Sequence, residues 1–214
     1  MTIPALPSYA MPAAAITNRV EWRPDASRAI LLIHDMQEYF LAKFDMRASP
    51  IPELVANAAR LRDLCDAAGV PVFYTAQPTD QPPGDRALLN DFWGPGLTAP
   101  GFQAQQPIVP ALQPRPNDVV LTKWRYSAFQ RSDLRRRMRD MDRDQIIICG
   151  VYAHIGCMAT ALEAFMQDVQ PFMVIDALAD FSLDEHLMAV NYVARRCGVS
   201  LTLTQLGQAL KPAA

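Results

Sequence analysis

Two ionisable residues stand where buried strands would end. Asp35 follows the apolar run Ala29-Ile-Leu-Leu-Ile-His34, and Lys123 follows the shorter run Val119-Val-Leu-Thr122. A carboxylate at the end of a buried strand is costly to desolvate, so it needs a partner or must hold a proton. Taken alone, Asp35 reads equally well as a reacting group or as the cap of the next turn. Lys123 shifts that balance, because in a parallel sheet it lies at the same edge and its neighbours Trp124 and Tyr126 are aromatic. We expect an ion pair between adjacent strand ends.

A third string, Cys149-Gly-Val-Tyr-Ala-His-Ile-Gly-Cys-Met158, runs from a strand into a helix through small residues. Such a helix start presents free backbone N–H groups, suited to a carboxylate or a carbonyl oxygen. Cys157 lies where a helix start could activate a thiol. His154 reads as a ligand, a base or a structural residue. The chain has only three histidines, His34, His154 and His186, and none has metal-ligand spacing. A structural role therefore fits His154 best, and no metal or other cofactor is expected.

The elements that must position these groups alternate. Strands are expected at Ala29–His34, Pro71–Ala76, Val119–Thr122, Gln145–Cys149, Phe172–Ile175 and Val199–Leu203. Between them come helical patterns. Pro52–Ala68 carries Leu54, Ala58, Leu61 and Cys65 on one stripe and stops at Gly69, a charged helix surrounds Leu134 and Met138, and two more span about 156–168 and Leu183–Arg196. This alternation predicts an α/β, three-layer Rossmann-like fold, a central and mainly parallel sheet flanked by helices. Its site should lie beyond the carboxyl ends of the strands. The segment 77–116 breaks the rhythm, being long and rich in Pro and Gly. A loop of that length in a compact domain is more often functional than filler.

The chain has 214 residues, half of them hydrophobic, enough for one large domain. A formal net charge of −2 supplies no field for nucleic acid or an anionic membrane, and no apolar run is long enough to span a bilayer. The Arg-rich stretch 131–143 is interleaved with Asp133, Asp140 and Asp142 and reads as a solvated helix face. Cys65, Cys149, Cys157 and Cys197 are scattered, as in a reduced cytoplasmic protein. The Ala/Pro-rich N-terminus lacks the features of a cleaved signal.

Together, Asp35, Lys123 and the Gly150–Met158 turn resemble the isochorismatase-like hydrolase superfamily. Its cysteine hydrolases, such as nicotinamidases, use an Asp–Lys–Cys triad, and alignment on that pattern places Gly156, not Cys157, at the nucleophile position. Adjacent residues at a helix start project about 100° apart, so Cys157 cannot stand in. The missing nucleophile is the mark of isochorismatases proper. The strings His34-Asp-Met-Gln-Glu-Tyr-Phe40, Tyr74-Thr-Ala-Gln-Pro78, Asp91-Phe-Trp-Gly-Pro-Gly96, Lys123-Trp-Arg-Tyr-Ser-Ala-Phe129 and Asp176-Ala-Leu-Ala-Asp-Phe-Ser182 are similar to that family.

The resemblance implies hydrolysis of the vinyl ether of isochorismate, with Asp35 as general acid and Lys123 holding the substrate beside it. Gly156 would leave room for the enolpyruvyl group, and the backbone around Tyr152 and Gly156 would bind its carboxylate. Gln77, Arg86 and Trp93 from the long loop would grip the ring and its acid group. The family also implies a non-proline cis peptide near Val151–Tyr152 and a homodimer. A lysine beside the acid favours its charged form, so the substrate's carboxylates are expected to neutralise Lys123 and Arg86 and restore the proton. Alternatives are hydrolysis of 2-amino-2-deoxyisochorismate on the phenazine route, a cysteine amidohydrolase using Cys157, and a non-catalytic docking module. We expect one domain over 1–214 with an N-terminal extension to about residue 25. It would have no aryl carrier domain, so that any carrier is a separate protein.

Overall fold

The computed structural model describes residues 3–210. The apolar runs become six strands of one sheet: β1 (Ala29–His34), β2 (Val72–Ala76), β3 (Val119–Thr122), β4 (Gln145–Val151), β5 (Gln170–Ala179) and β6 (Val199–Leu201). Every pairing is parallel, and the order is β3-β2-β1-β4-β5-β6. The helices are α1 (Glu38–Leu41), α2 (Ile51–Ala67), α3 (Pro83–Arg86), α4 (Leu89–Trp93), α5 (Leu134–Asp140), α6 (Met158–Met166), α7 (Leu183–Arg196) and α8 (Leu203–Ala209).

The continuous apolar character of β1 follows from its central place, since both of its faces are covered. Leu31 and Ile33 point into one core with Leu54, Ala58, Leu61 and Cys65 of α2 and Leu206 of α8. Ile30 and Leu32 point into the other with Leu134 and Met138 of α5, Ala161 and Ala164 of α6, and Val190 and Val193 of α7. The α/β class and the flanked parallel sheet are thus as expected.

Four expectations need correction. First, β1 and β3 are not neighbours, because β2 lies between them, and Lys123 reaches across that strand's end. Second, the helix expected at about 156–168 is a wide turn of π-helix, Ala153–Cys157, followed by α6. Third, β5 runs to ten residues, 170–179, with a register irregularity against β4 between Ile148 and Gly150. Fourth, the chain turns helical just after β6. There Thr202 accepts from the Gln205 backbone, and the Gln205 side chain accepts from the Thr202 backbone in return.

The segment 77–116 folds into α3, α4 and three short 3₁₀ turns at Gly96–Thr98, Gln103–Gln105 and Pro110–Leu112. The N-terminal stretch lies on the domain: the Leu6 N–H donates to the Lys43 carbonyl and Asn18 pairs with Ser200 of β6. The Arg-rich stretch is a solvated face, with Arg136 paired to Asp133 and Asp140 and Arg137 to Asp133. All four cysteines are buried and free. Among the described residues no helix is long and apolar enough to cross a membrane.

Candidate active site

The order of the sheet dictates where a crevice opens. From β1 the chain first builds outward through β2 and β3, then returns to pair β4 on the other side of β1. At such a switch point the connections leave in opposite directions and the strand ends part. Asp35 leaves β1 there, and the Val151–Tyr152 bond, which is cis, leaves β4 beside it.

Asp35 adopts φ +50°, a left-handed conformation that Asp tolerates better than most residues. Its carboxylate is held from two sides. Lys123 Nζ donates to Oδ2 at 2.9 Å, and the Thr75 hydroxyl donates to Oδ1 at 2.6 Å. That hydroxyl in turn accepts from the Asp35 N–H at 3.1 Å. Thr75 sits on β2, which explains how a pair two strands apart is bridged. Asp35 and Lys123 are about 95% buried. A buried ion pair needs such additional hydrogen bonds to offset its desolvation.

His34 Nδ1 lies 2.9 Å from the Val151 carbonyl, which can only accept, so this nitrogen carries the proton. Burial pulls the imidazole down to about 4 against the opposing pull of Asp35, and it is neutral near pH 7.

Asp35 and Lys123 open onto a largely apolar cleft beyond the carboxyl ends of the strands. Gln77, Arg86, Trp93, Tyr152 and Gly156 line the same cleft, so all seven residues singled out from the sequence meet there. Gln77 is placed by the buried Gln37, whose side chain accepts from its N–H at 2.7 Å and donates to its carbonyl at 3.0 Å. Arg86 is buried on α3, where its Nε donates to the Gly94 carbonyl at 2.7 Å. No carboxylate among the described residues pairs with it, and burial pulls its guanidinium down from the usual arginine value. The Trp93 indole donates to the Tyr126 hydroxyl. Tyr152 gives its hydroxyl to the Phe40 carbonyl at 2.9 Å and offers the cleft its ring and backbone instead.

Several lining residues escaped sequence reasoning. Arg125, Tyr126, Tyr39, Phe40 and Phe181 all fall inside the strings quoted above, so the signal was there without a reason to choose among their members. Arg125 matters most, because it adds a third cation to a cleft with a single lining carboxylate among the described residues. Ile3 closes one side from the N-terminal segment and carried no signal at all. Cys157, by contrast, faces the core of α6 and α7, and burial raises its thiol well above the usual value. A helix start does not activate it, because it is shut away from water and from the cleft. His154 is structural in setting, bonded to Asp180 at 2.5 Å.

The sheet order and the acid–lysine pair at its switch point define an isochorismatase-like α/β hydrolase. The Isochorismatase domain model matches residues 29–205. The chain is 53% identical over 208 residues to the isochorismatase of Bacillus subtilis, covering 96% of this chain and 66% of that protein. It is 52% identical to enterobactin synthase component B of Escherichia coli, covering 100% of this chain and 75% of that one. Phenazine biosynthesis protein PhzD1 of Pseudomonas aeruginosa is 47% identical, with 95% and 98% covered. A cysteine hydrolase from Pseudomonas syringae shares the fold at TM-score 0.78 and 20% identity, with 92% and 98% covered. The chain belongs to the isochorismatase family. It spans about two thirds of the Bacillus relative and three quarters of the Escherichia coli one.

Proposed function

We infer that this chain is an isochorismatase, hydrolysing isochorismate to pyruvate and 2,3-dihydro-2,3-dihydroxybenzoate. One observation carries the reading. Asp35 is poised at the wall of a cation-lined cleft that, among the described residues, has no thiol or other acyl-transfer nucleophile with its base. A vinyl ether needs none. Protonation of its terminal methylene carbon gives an oxocarbenium ion, water adds, and the hemiketal collapses to a ketone and an alcohol. Asp35 supplies the proton and recovers one from the attacking water, so the cycle closes without a covalent intermediate.

Because Thr75 occupies Oδ1, the transferable proton resides on Oδ2, the oxygen now paired with Lys123. Lys123 passes its contact to a substrate carboxylate as Oδ2 takes up the proton. Arg86 and Arg125 supply further cations for a dianionic substrate, Trp93 and Gln77 hold the ring, and Tyr152 and Gly156 shape the enolpyruvyl end. If substrate drives this exchange, the alkaline limb of kcat lies at higher pH than that of kcat/KM. Coincident limbs would rule the exchange out.

Incubation with isochorismate and assay for pyruvate tests the function directly, with Asp35→Ala inactive and Cys157→Ala active. The identity to PhzD1 makes 2-amino-2-deoxyisochorismate the second substrate to compare, by kcat/KM side by side. A homodimer, a cytoplasmic setting and docking to a separate aryl carrier protein belong to the same proposal. They rest on family membership, and sedimentation of the purified chain is the first check.

A further inference from the structure

Gly156 is a glycine for a reason that lies outside the substrate. A Cβ built on it would come within 2.1 Å of His34 Cε1, 2.8 Å of Nε2 and 3.0 Å of Nδ1. Real side chains do not approach so closely, and the obstacle is no flexible tip. The imidazole has no solvent exposure and is tied at Nδ1 to the Val151 carbonyl. The space that a side chain at 156 would enter is thus filled from β1 by a ring whose Nδ1 is only 3.5 Å from Asp35 Oδ2. Expectation had assigned that space to the enolpyruvyl group.

The consequence for chemistry is specific. A thiol placed beside an ammonium is favoured as the thiolate, and a carboxylate at the same place can take its proton as a base, which makes it a nucleophile. Asp35 and Lys123 are already an acid–base pair of that kind, and the backbone at Gly156 faces the same cleft. We propose that His34 determines the reaction class of this site: its imidazole occupies the volume that any side chain at residue 156 would need, and so keeps covalent chemistry out of reach of Asp35 and Lys123. The steric part stands whatever the substrate; the catalytic part rests on the role inferred for Asp35.

A four-member cycle tests the steric part. Gly156→Ala should lower Tm sharply or yield no soluble protein. His34→Ala lowers it moderately by losing the Val151 bond. The double variant should be more stable than Gly156→Ala alone. Tm losses that merely add would overturn the pairing. The chemical part is read on His34→Ala/Gly156→Cys, exposed to iodoacetamide with mapping of the alkylated peptide. A thiol at 156 should be labelled at least tenfold faster than any of the four native cysteines, all buried. Its labelling should also persist to lower pH than that of free cysteine, and adding Lys123→Met should remove that advantage. An unreactive thiol at 156 in a folded double variant would overturn the proposal. Pyruvate release by the wild type is scored separately, so a wrong substrate and a wrong role for His34 give different results.

Discussion

Two buried aspartates end strands of the same sheet, Asp35 after β1 and Asp180 after β5, and each has a histidine against its carboxylate. Their surroundings differ in one respect. Asp180 is saturated by fixed donors: the backbone N–H of His154 at 2.6 Å, His154 Nδ1 at 2.5 Å and the Phe181 N–H at 2.8 Å. Asp35 is held by a hydroxyl and by the end of a long lysine side chain, and it faces the cleft. The histidines diverge accordingly. Burial wins at His34 and lowers it, whereas at His154 the bond and charge of Asp180, with Glu185, outweigh burial and raise it. A buried strand-end carboxylate becomes reactive when a donor can leave it and a ligand can arrive. Burial alone makes it a brace.

The contrast is open to attack in order of expected effect. Asp35→Asn should cut kcat by about a thousandfold, within the usual span for loss of a general acid. Asp180→Asn should keep kcat per folded molecule within a few-fold but cost about 1–3 kcal/mol in urea unfolding, as befits a lost buried network. Equal loss of turnover in both would erase the distinction. Next, Arg86→Met should raise KM by roughly 30-fold, about 2 kcal/mol of anion binding, with kcat changed much less. An unchanged KM would leave Arg125 and Lys123 as sufficient anchors.

The histidine contrast predicts a pH signature. His154 is raised in the folded state, so its contribution is fully present below its unfolded value near 6.5 and fades as pH rises through the higher folded value. His154→Gln should therefore destabilise the protein more at pH 5.5 than at pH 9, measured by Tm at each pH. A reversed trend would show that the Asp180 pair is not a charged one. Cys157→Ala has the smallest effect: turnover within twofold and a loss of about 1 kcal/mol from the core of α6 and α7.

Much of this was legible in the sequence because period and composition report burial directly. The run from Ala29 to His34 has the length and continuous apolar character of a strand covered on both faces, and the charged punctuation after it marked Asp35. Strand order was not legible. Whether β2 lies between β1 and β3 depends on how whole helices pack, and no local pattern encodes it, so Thr75 went unnoticed as the second support of Asp35. The start of α8 was readable in Thr202-Leu-Thr-Gln205, a capping signal masked by the apolar alternation of Val199, Leu201 and Leu203, which extends the pattern of β6 past its end. Arg125 and Ile3 acquire meaning only when the cleft closes around them.

Gly96 is not among the residues that line the cleft, yet a Cβ there would come within 2.8 Å of the Arg86 Nη2 atom. Its φ of +58° restricts replacements mainly to asparagine or aspartate. The tip of Arg86 is flexible enough to yield, so such a replacement would tilt the guanidinium rather than unfold the chain. In a directed-evolution library or a set of natural isolates, position 96 should therefore behave as a dial on substrate affinity, shifting the working concentration range while leaving the chemical step alone.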